Sequence, residues 1–203
     1  SEDASLLSLI VAFIRRALGE HVPVLSVCAA LPVVMSILTL IPVAIIGNDV
    51  GGSSTAIAAA ALVALVPAHV GRTMAGDFTG DAVGMPFVCA SLCSFLRATR
   101  KDGSAALSFF GATMYGCAAL SWELHALVPQ LIAVFVLMHV LAGRCSRATF
   151  QAYAIWYILS SCILVAPAAL LERQLDFAPH VLPFFAASVL SVWRFGGYLV
   201  RFA

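Results

Sequence analysis

The longest apolar run of this chain is the feature that most limits how it can fold. From Val22 to Ile46, about 25 consecutive residues carry no charged side chain, and similar runs recur along most of the sequence. A bilayer core roughly 30 Å thick needs about 20 helical residues to cross it, and lipid offers no partner to an unpaired backbone group. The sequence therefore predicts an integral membrane protein built from helices.

The composition supports the same conclusion. Charged residues make up 10% of the chain, hydrophobic residues 62%, and the mean hydropathy is +1.03. Soluble domains carry about 25% charged residues, so a water-soluble fold is excluded. The net charge of +1 gives no basic surface for a nucleic acid, and none is expected as a partner.

Seven hydrophobic segments and an eighth candidate follow one another along the chain. The first is too short to span a bilayer alone, so it is either an interfacial helix, which we favour, or part of a longer span. Short loops rich in Gly, Asn and Asp separate the segments. We expect an all-α, polytopic bundle forming a single transmembrane domain over residues 1–203, without a soluble domain. The segments are residues 6–14, 22–46, 55–70, 82–96, 105–120, 124–142, 150–171 and 181–193.

Basic residues predict the orientation of the bundle. Lys and Arg in short loops stay on the side from which the chain is inserted. Counting spans from the loop at residues 97–101 puts the later basic pairs on the same side, while most acidic residues gather opposite. This basic side carries Arg97, Arg100, Lys101, Arg144, Arg147, Arg194 and Arg201.

The polar stretch between Val66 and Ala82 is the segment most suited to chemistry, because a span ends there in a loop with two carboxylates. Asp77 and Asp81 could share a divalent cation, which prefers oxygen ligands. They could equally stabilise the positive end of the next helix, and spacing alone favours this structural account. His69, at the end of a span, is expected to form a hydrogen bond across helices rather than to relay protons.

Two further sets of residues are candidates for contact with lipid or neighbouring helices. Trp122 is expected to anchor at the membrane interface, with Glu123 beside it as a solvated acid. Ala56, Ala60 and Ala64 recur on one helical face and permit close contact with another helix. The six cysteines lie mainly in apolar runs, where a reduced thiol is usual.

Several of these stretches resemble the catalytic subunit family of oligosaccharyltransferase, which transfers glycan from a dolichol-linked donor to asparagine. The matching stretches occur in the order of the family and at similar spacing over about residues 6–191. They comprise His21-Val22-Pro23-Val24, residues 62–73, the polar loop, Ser121-Trp122, Gly143-Arg144-Cys145-Ser146 and Ala152-Tyr153-Ala154. The resemblance implies part of a membrane-embedded glycosyltransferase fold.

The same comparison implies that the active site is degenerate. In the family, Ala-Gly is followed by Ser or Glu, an aromatic residue and Asp-Asn-Glu, whose Asp and Glu help to hold the catalytic divalent ion. Here Thr79 stands where the Asp belongs, and Asp81 replaces the Glu. The family's Trp-Gly-Gly becomes Trp122-Glu123-Leu124. A metal-binding Asp of an earlier loop, a Ser-Glu pair of a later loop and a soluble domain with Trp-Trp-Asp-Tyr-Gly have no counterpart in these 203 residues.

The resemblance and its departures lead to two hypotheses. In the first, which we prefer, the chain is a non-catalytic, structural transmembrane subunit of a larger complex, with no catalytic residue, no cofactor, and other membrane subunits and lipids as partners. In the second, it is the membrane portion of an oligosaccharyltransferase catalytic subunit, and Asp77 and Asp81 contribute to a Mn²⁺ or Mg²⁺ site. The family resemblance implies the endoplasmic reticulum membrane, with the mitochondrial inner membrane as the alternative.

Overall fold

A computed structural model of the chain describes residues 11–16, 23–76, 78–100, 102–170 and 180–202, with the backbone alone for residues 123–124, 166–170 and 195–202. Asp77, Lys101, the loop 172–179 and most of the predicted first segment lie outside the described residues. The part of the first segment that is described, residues 11–16, is helical and is called α1.

The described residues form helices and no strand, which confirms the predicted all-α fold. Six of the predicted segments reappear with edges shifted by a few residues, because helix ends depend on local caps and turns. A 3₁₀ turn, Glu123–Ala126, precedes α6. After α1 the helices are α2 (Val24–Leu65), α3 (Pro67–Arg72), α4 (Gly80–Ala98), α5 (Ala105–Ser121), α6 (Leu127–Leu141), α7 (Arg147–Leu170) and α8 (Val181–Phe202).

Helix α2 is two helical arms rather than one continuous helix. Its 42 residues would extend about 63 Å if straight, twice the thickness of a bilayer core. The backbone is non-helical at Gly51 (φ −143°, ψ 17°) and at Gly52 (φ 79°, ψ −169°). Only glycine adopts the second conformation readily. The predicted turn between the second and third segments is therefore confirmed.

The two arms fold back on each other. A Cβ atom built on Gly47 would lie 2.9 Å from the Cα of Ala56. In a straight helix these two residues would be separated by about 13 Å. Further along the arms, Leu40 and Ala44 face Ala60 and Ala64 across a groove of about 390 Å³. The arms therefore form an antiparallel hairpin.

The third predicted segment ends earlier than expected. We predicted a helix to Val70, but α2 stops at Leu65 because Val66 is extended (φ −62°, ψ 123°). The residue before a proline is disfavoured in the helical region, and Pro67 then occupies a first-turn position of the short helix α3. His69 therefore lies on α3, beyond the membrane-spanning arm.

Three helical segments are long and apolar enough to cross a membrane among the residues that the structure describes. They are Val24–Leu65, Gly80–Ala98 and Arg147–Val165. Three shorter apolar helices accompany them: Ala105–Ser121, Leu127–Leu141 and Val181–Arg194. Large apolar side chains such as Leu25, Leu141 and Phe184 are exposed, as expected of helices that face lipid.

The residues divide into two compact units, and the expectation of a single domain stays a prediction. The first comprises Ser1–Cys93 and Cys117–His125. Its core contains Val11, Val27, Leu31 and Val83. Each of these side chains is less than a tenth exposed.

The second unit comprises Ser94–Gly116 and Ala126–Ala203, and its core is aromatic. The ring of Phe95 packs edge to face on Trp156 at 6.1 Å between centroids, and Tyr115 lies 5.3 Å from the same indole. The buried hydroxyl of Tyr153 donates to the carbonyl of Pro183 at 2.7 Å and so joins α7 to α8. Helix α8 also packs along α6. All six cysteines are free thiols, as predicted.

Candidate functional site

The polar loop between α3 and α4 is the centre of the candidate site, and glycine shapes it. Gly76 has a φ of 94°, in the left-handed region that favours glycine. Its N–H donates to the carbonyl of Ala29 on α2 at 3.2 Å, which attaches the loop to the hairpin. Gly80 then begins α4. We call the group Arg72, Thr79, Asp81 and Trp122 the polar junction; all four residues belong to the first unit.

Asp81 forms an ion pair with Arg72 in the polar junction. Its carboxylate contacts the guanidinium across the loop, and the Asp81 side chain is 24% exposed against 55% for Arg72. Asp81 also lies in the first turn of α4, at the positive end of the helix dipole. Asp81 thus lies at a helix start, and its stabilising role there stays a prediction. Asp77, its predicted companion in a metal site, lies outside the described residues.

Thr79 provides a neutral hydroxyl rather than a charge at the polar junction. Its Oγ1 is buried and has no hydrogen-bond partner. Within the described ranges, no group of three or more His, Cys, Asp and Glu residues is arranged to hold a metal ion. A divalent ion prefers several oxygen ligands that include carboxylates. The described side chains here offer one carboxylate, which already contacts Arg72.

Trp122 packs tightly on the start of α4, and its position at the membrane interface stays a prediction. A Cβ atom on Gly84 would lie 2.4 Å from the Cβ of Trp122, and one on Gly80 would lie 2.2 Å from the carbonyl oxygen of Ser121. Only glycine at these two positions allows such an approach. The indole Nε1 of Trp122 is buried and lacks a hydrogen-bond partner. Glu123, whose backbone alone is described, begins the 3₁₀ turn.

His69 connects three helices of the first unit. Its side chain is 5% exposed, and Nε2 lies 2.9 Å from the hydroxyl of Ser36 on α2. Nδ1 lies 3.2 Å from the sulfur of Met85 on α4. Since sulfur is a weak acceptor, the contacts favour a proton on Nδ1, with the Ser36 hydroxyl donating to Nε2. Burial lowers the pKa of His69 and favours this neutral form.

The backbone of His69 also contacts the polar loop. The hydroxyl of Thr73 donates to the carbonyl of His69 at 2.7 Å. The expected hydrogen bond across helices is the one between His69 and Ser36. Through its side chain and its carbonyl, His69 therefore links the hairpin to the polar loop.

The predicted small-residue face lines the groove between the arms of α2. Ala56, Ala60 and Ala64 are all half-buried there, opposite Leu40 and Ala44. Part of this face therefore packs on its own hairpin. That a lipid or another helix covers the groove stays a prediction.

The contacts of Arg72, Ser36 and Met85 were not predicted from the sequence. Arg72 stands nine positions before Asp81, outside the spacing at which helical side chains meet. Ser36 and Met85 lie in apolar runs that look like ordinary spans. The only available signal was an Arg directly before a loop with two acids.

The comparisons with known proteins bear on the whole chain. Residues 4–201 match the family described as "Oligosaccharyl transferase STT3, N-terminal". The dolichyl-diphosphooligosaccharide–protein glycosyltransferase subunit STT3 of Saccharomyces cerevisiae is 24% identical over 148 residues, which are 73% of this chain and 20% of the yeast protein. The STT3B subunit of Oryza sativa is 27% identical over 144 residues, covering 71% and 20% of the two chains. The matched region is thus about a fifth of the length of these relatives.

Solved structures share the fold. The oligosaccharyltransferase AglB from Archaeoglobus fulgidus, in complex with an inhibitory peptide and a dolichol-phosphate, superposes with a TM-score of 0.74 at 18% identity over 92% of this chain and 24% of AglB. A second structure of the Archaeoglobus fulgidus oligosaccharyltransferase, with Zn and sulfate, gives a TM-score of 0.77 at 18% identity over 97% and 28% of the two chains. At this identity the likeness concerns the fold. This chain is thus an integral membrane member of the oligosaccharyl transferase STT3 family and matches its N-terminal region.

Proposed function

We propose that this chain is a non-catalytic, structural transmembrane subunit of a larger membrane complex, derived from an oligosaccharyltransferase-like ancestor. The observation that carries the proposal is the ion pair between Arg72 and Asp81, next to a threonine in the position of a liganding aspartate. A divalent ion at Asp81 would have to compete with a guanidinium already in contact with the carboxylate.

The resemblance implies Mn²⁺ or Mg²⁺ in this region, but the described side chains do not fit either ion. Mg²⁺ demands near-ideal octahedral oxygen coordination and is usually bound through one or two carboxylates together with waters and substrate phosphates. Thr79 supplies no charge, and Asp81 is paired with Arg72. Preorganised charge at the reacting group is usually the largest contribution to catalysis. We therefore derive no catalytic step from these residues.

The contacts around the polar junction support a structural role. Gly80 and Gly84 allow close packing with Ser121 and Trp122. His69 connects three helices. These contacts keep the fold of the family while the residues expected to bind the metal have changed. The groove on α2 offers small side chains to a neighbouring transmembrane helix, the kind of surface on which membrane helices associate.

The partners and membrane are inferred from the relatives. Because the curated relatives are named as subunits of a glycosyltransferase, we propose other membrane subunits and membrane lipids as the partners of this chain. The endoplasmic reticulum is the proposed membrane, as the resemblance implies. The mitochondrial alternative gains no support from these relatives.

A second function is supported by the position of Asp81. It keeps an acid in the first turn of α4, where the family places its glutamate. In this alternative, the chain is the membrane portion of an oligosaccharyltransferase catalytic subunit that transfers dolichol-linked glycan to asparagine. Arg72 would then have to release Asp81, and Asp77 would supply a second carboxylate to Mn²⁺ or Mg²⁺.

The experiment that separates the two functions replaces the natural gene with one encoding Asp77→Asn and Asp81→Asn. The amide oxygen introduced by Asp81→Asn can still accept a hydrogen bond from Arg72, so the loop should keep its contact. The matched control is Asp102→Asn, which changes an exposed acid in another loop. Glycan occupancy of reporter glycoproteins and the subunits that co-migrate in mild detergent are measured for each strain.

The two functions predict different results. For a structural subunit, both strains should assemble the complex and glycosylate the reporters like the wild type. A fall in occupancy with the double variant alone, in an intact complex, would refute the proposal and favour the catalytic alternative.

A further inference from the structure

His69 and Met85 form a contact that the proposed function does not use. The Nδ1 atom of His69 lies 3.2 Å from the Sδ atom of Met85. His69 belongs to the short helix α3 and Met85 to the first half of α4, and both residues lie in the first unit. Neither of them belongs to the polar junction. We call these two side chains the His–Met pair.

The two facing atoms are better suited to binding a metal ion than to a hydrogen bond. A thioether sulfur is a weak acceptor, so the contact contributes little as a hydrogen bond. The same sulfur is a soft ligand that selects Cu(I), and an imidazole nitrogen also binds copper. The His–Met pair therefore presents two ligand atoms of matching preference, directed at each other from different helices.

The separation of the two atoms is close to what a shared ion requires. With the bond lengths of zinc sites, about 2.0 Å to nitrogen and about 2.3 Å to sulfur, an ion holds the two atoms about 3.5 Å apart at a tetrahedral angle and about 4.3 Å apart in a linear arrangement. The sulfur must therefore withdraw by roughly 0.3–1 Å, a movement that the three rotatable bonds of methionine allow. Met85 is half-buried rather than enclosed, which leaves a side from which an ion can approach.

The other ring nitrogen of His69 already has the partner that a metal-binding histidine needs. Its Nε2 lies 2.9 Å from the hydroxyl of Ser36 on α2. A metal-binding histidine almost always donates its second N–H to an oxygen, which fixes the ring and makes the binding nitrogen more basic. When an ion occupies Nδ1, the ring proton lies on Nε2 and the Ser36 hydroxyl accepts it. The ring stays neutral with and without the ion, and only the position of its proton changes.

Burial and charge favour an ion of single charge. His69 is 5% exposed, so little water competes for the ion. Burial also lowers the pKa of His69 and keeps the ring unprotonated at neutral pH, as metal binding requires. Both ligand atoms are neutral, and the carboxylate of Asp81, one turn before Met85, already contacts Arg72. Burying charge without a counter-charge is costly, so one positive charge is easier to accommodate than two.

Ions with other preferences fit this place poorly. Structural Zn²⁺ takes four ligands, and Mg²⁺ prefers oxygen. In the ranges that the structure describes, no three His, Cys, Asp or Glu side chains come together to complete a zinc site. Cu(I) remains, because two soft ligands are enough to hold it.

We propose that the His–Met pair binds one Cu(I) ion through Nδ1 of His69 and Sδ of Met85, with Ser36 orienting the histidine. The ion joins α3 to α4, and the hydrogen bond to Ser36 keeps α2 attached to the same histidine. The site shares no residue with the polar junction, so its test is independent of whether the chain is catalytic.

The test uses Ag(I), a soft ion of the same charge that is less prone to oxidation than Cu(I), with the full-length protein in detergent micelles. The free cysteines also bind Ag(I), so the measurement must report on individual side chains. Methyl-¹³C methionine and ring-¹⁵N histidine labels give separate NMR signals for the five methionines and five histidines. Met85→Leu removes the sulfur with little change in volume. The matched control is Met114→Leu, at a half-buried methionine of α5.

In the wild type, Ag(I) should shift the methyl signal of Met85 and the Nδ1 signal of His69 at concentrations below those that shift the exposed Met74 and Met138. Ser36→Ala should weaken this binding about tenfold, because the histidine loses its orienting partner. Met85→Leu should weaken binding at His69 by more than that, and Met114→Leu should leave it unchanged. Cu(I) kept reduced with ascorbate should reproduce both shifts, whereas Mg²⁺ should cause neither.

Three results would overturn the proposal. One is a Met85 signal that shifts no earlier than those of Met74 and Met138, since Ag(I) would then bind any thioether. Another is a His69 signal that responds equally in the wild type and Met85→Leu. The third is the absence of both shifts with Cu(I). Should Met85→Leu fold poorly, Ser36→Ala takes its place, with the Met85 methyl signal as the measurement and the same about tenfold loss expected.

Discussion

Replacing Gly47 by alanine tests the antiparallel hairpin of α2 directly. Gly47 is buried in the first arm, and a Cβ there would lie 2.9 Å from the Cα of Ala56 and 3.0 Å from the carbonyl oxygen of Thr55. All the nearest atoms are backbone atoms, which cannot rotate away as a flexible side chain can. The alanine methyl must therefore push the two arms apart.

Two opposing effects set the size of the change. Alanine favours a helix interior over glycine by about 1 kcal/mol, which would stabilise the variant. Overpacking a tight contact costs about 1–3 kcal/mol, and a clash with backbone belongs in the upper part of that range. We expect a net loss of about 1–2 kcal/mol in the free energy of unfolding for Gly47→Ala.

The matched control is Gly71→Ala, on the exposed helix α3. Nothing lies within 4 Å of a Cβ at Gly71, so alanine there should bring only the gain in helix propensity, about 1 kcal/mol at most. Helical circular dichroism during an SDS titration in mixed micelles measures both variants against the wild type. If Gly47→Ala proves as stable as Gly71→Ala, the arms do not meet at Gly47 and the hairpin is wrong.

Two further predictions concern the link at His69 and the groove on α2. His69→Phe should lower the free energy of unfolding by about 1 kcal/mol because it removes the hydrogen bond between His69 and the partly buried hydroxyl of Ser36. An unchanged melting temperature would contradict the contact. Burial lowers the pKa of His69 below its ordinary value of 6.5. On acidification the unfolded chain therefore binds the proton before the folded chain does. The contribution of His69 to stability is lost as the pH falls below 6.5. The difference in melting temperature between wild type and His69→Phe should therefore narrow on acidification. A widening difference would mean that folding raises the pKa of His69 instead of lowering it. Ala60→Leu should fill the groove and reduce co-purification of membrane partners several-fold, whereas Ala58→Leu, an exposed position outside the groove, should not; equal recovery of partners with both variants would argue against the groove as a contact surface.

The helices were predictable because the signals that set them are local. A long apolar run must be helical in lipid, and the tandem glycines at 51 and 52 predicted the break in α2. The end of the third segment was misplaced because the apolar pattern runs through Val66 and Pro67, whereas backbone sterics before proline stop the helix there. Apolar composition identifies the segments that can lie in lipid, but it does not determine the residue at which a helix ends.

The candidate site was predictable in its place but not in its contacts. The polar loop and Asp81 were identified from residue type, and the position of Asp81 near a helix start follows from the apolar segment that comes after it. The pairing of Asp81 with Arg72 depends on the path of the loop that joins α3 to α4. The close approach of Trp122 to Gly84 depends on contacts between residues 38 positions apart.

The apolar segments were enough to establish a helical membrane protein, since bilayer thickness and the need to satisfy backbone hydrogen bonds act on each segment separately. The family followed from the resemblance of short motifs along the chain. The folded chain was needed to reveal that Arg72 contacts Asp81, and that His69 bonds Ser36 and contacts Met85. These outcomes depend on distances between side chains on different helices. Helix packing sets those distances, and a one-dimensional pattern of apolar and polar residues does not encode them.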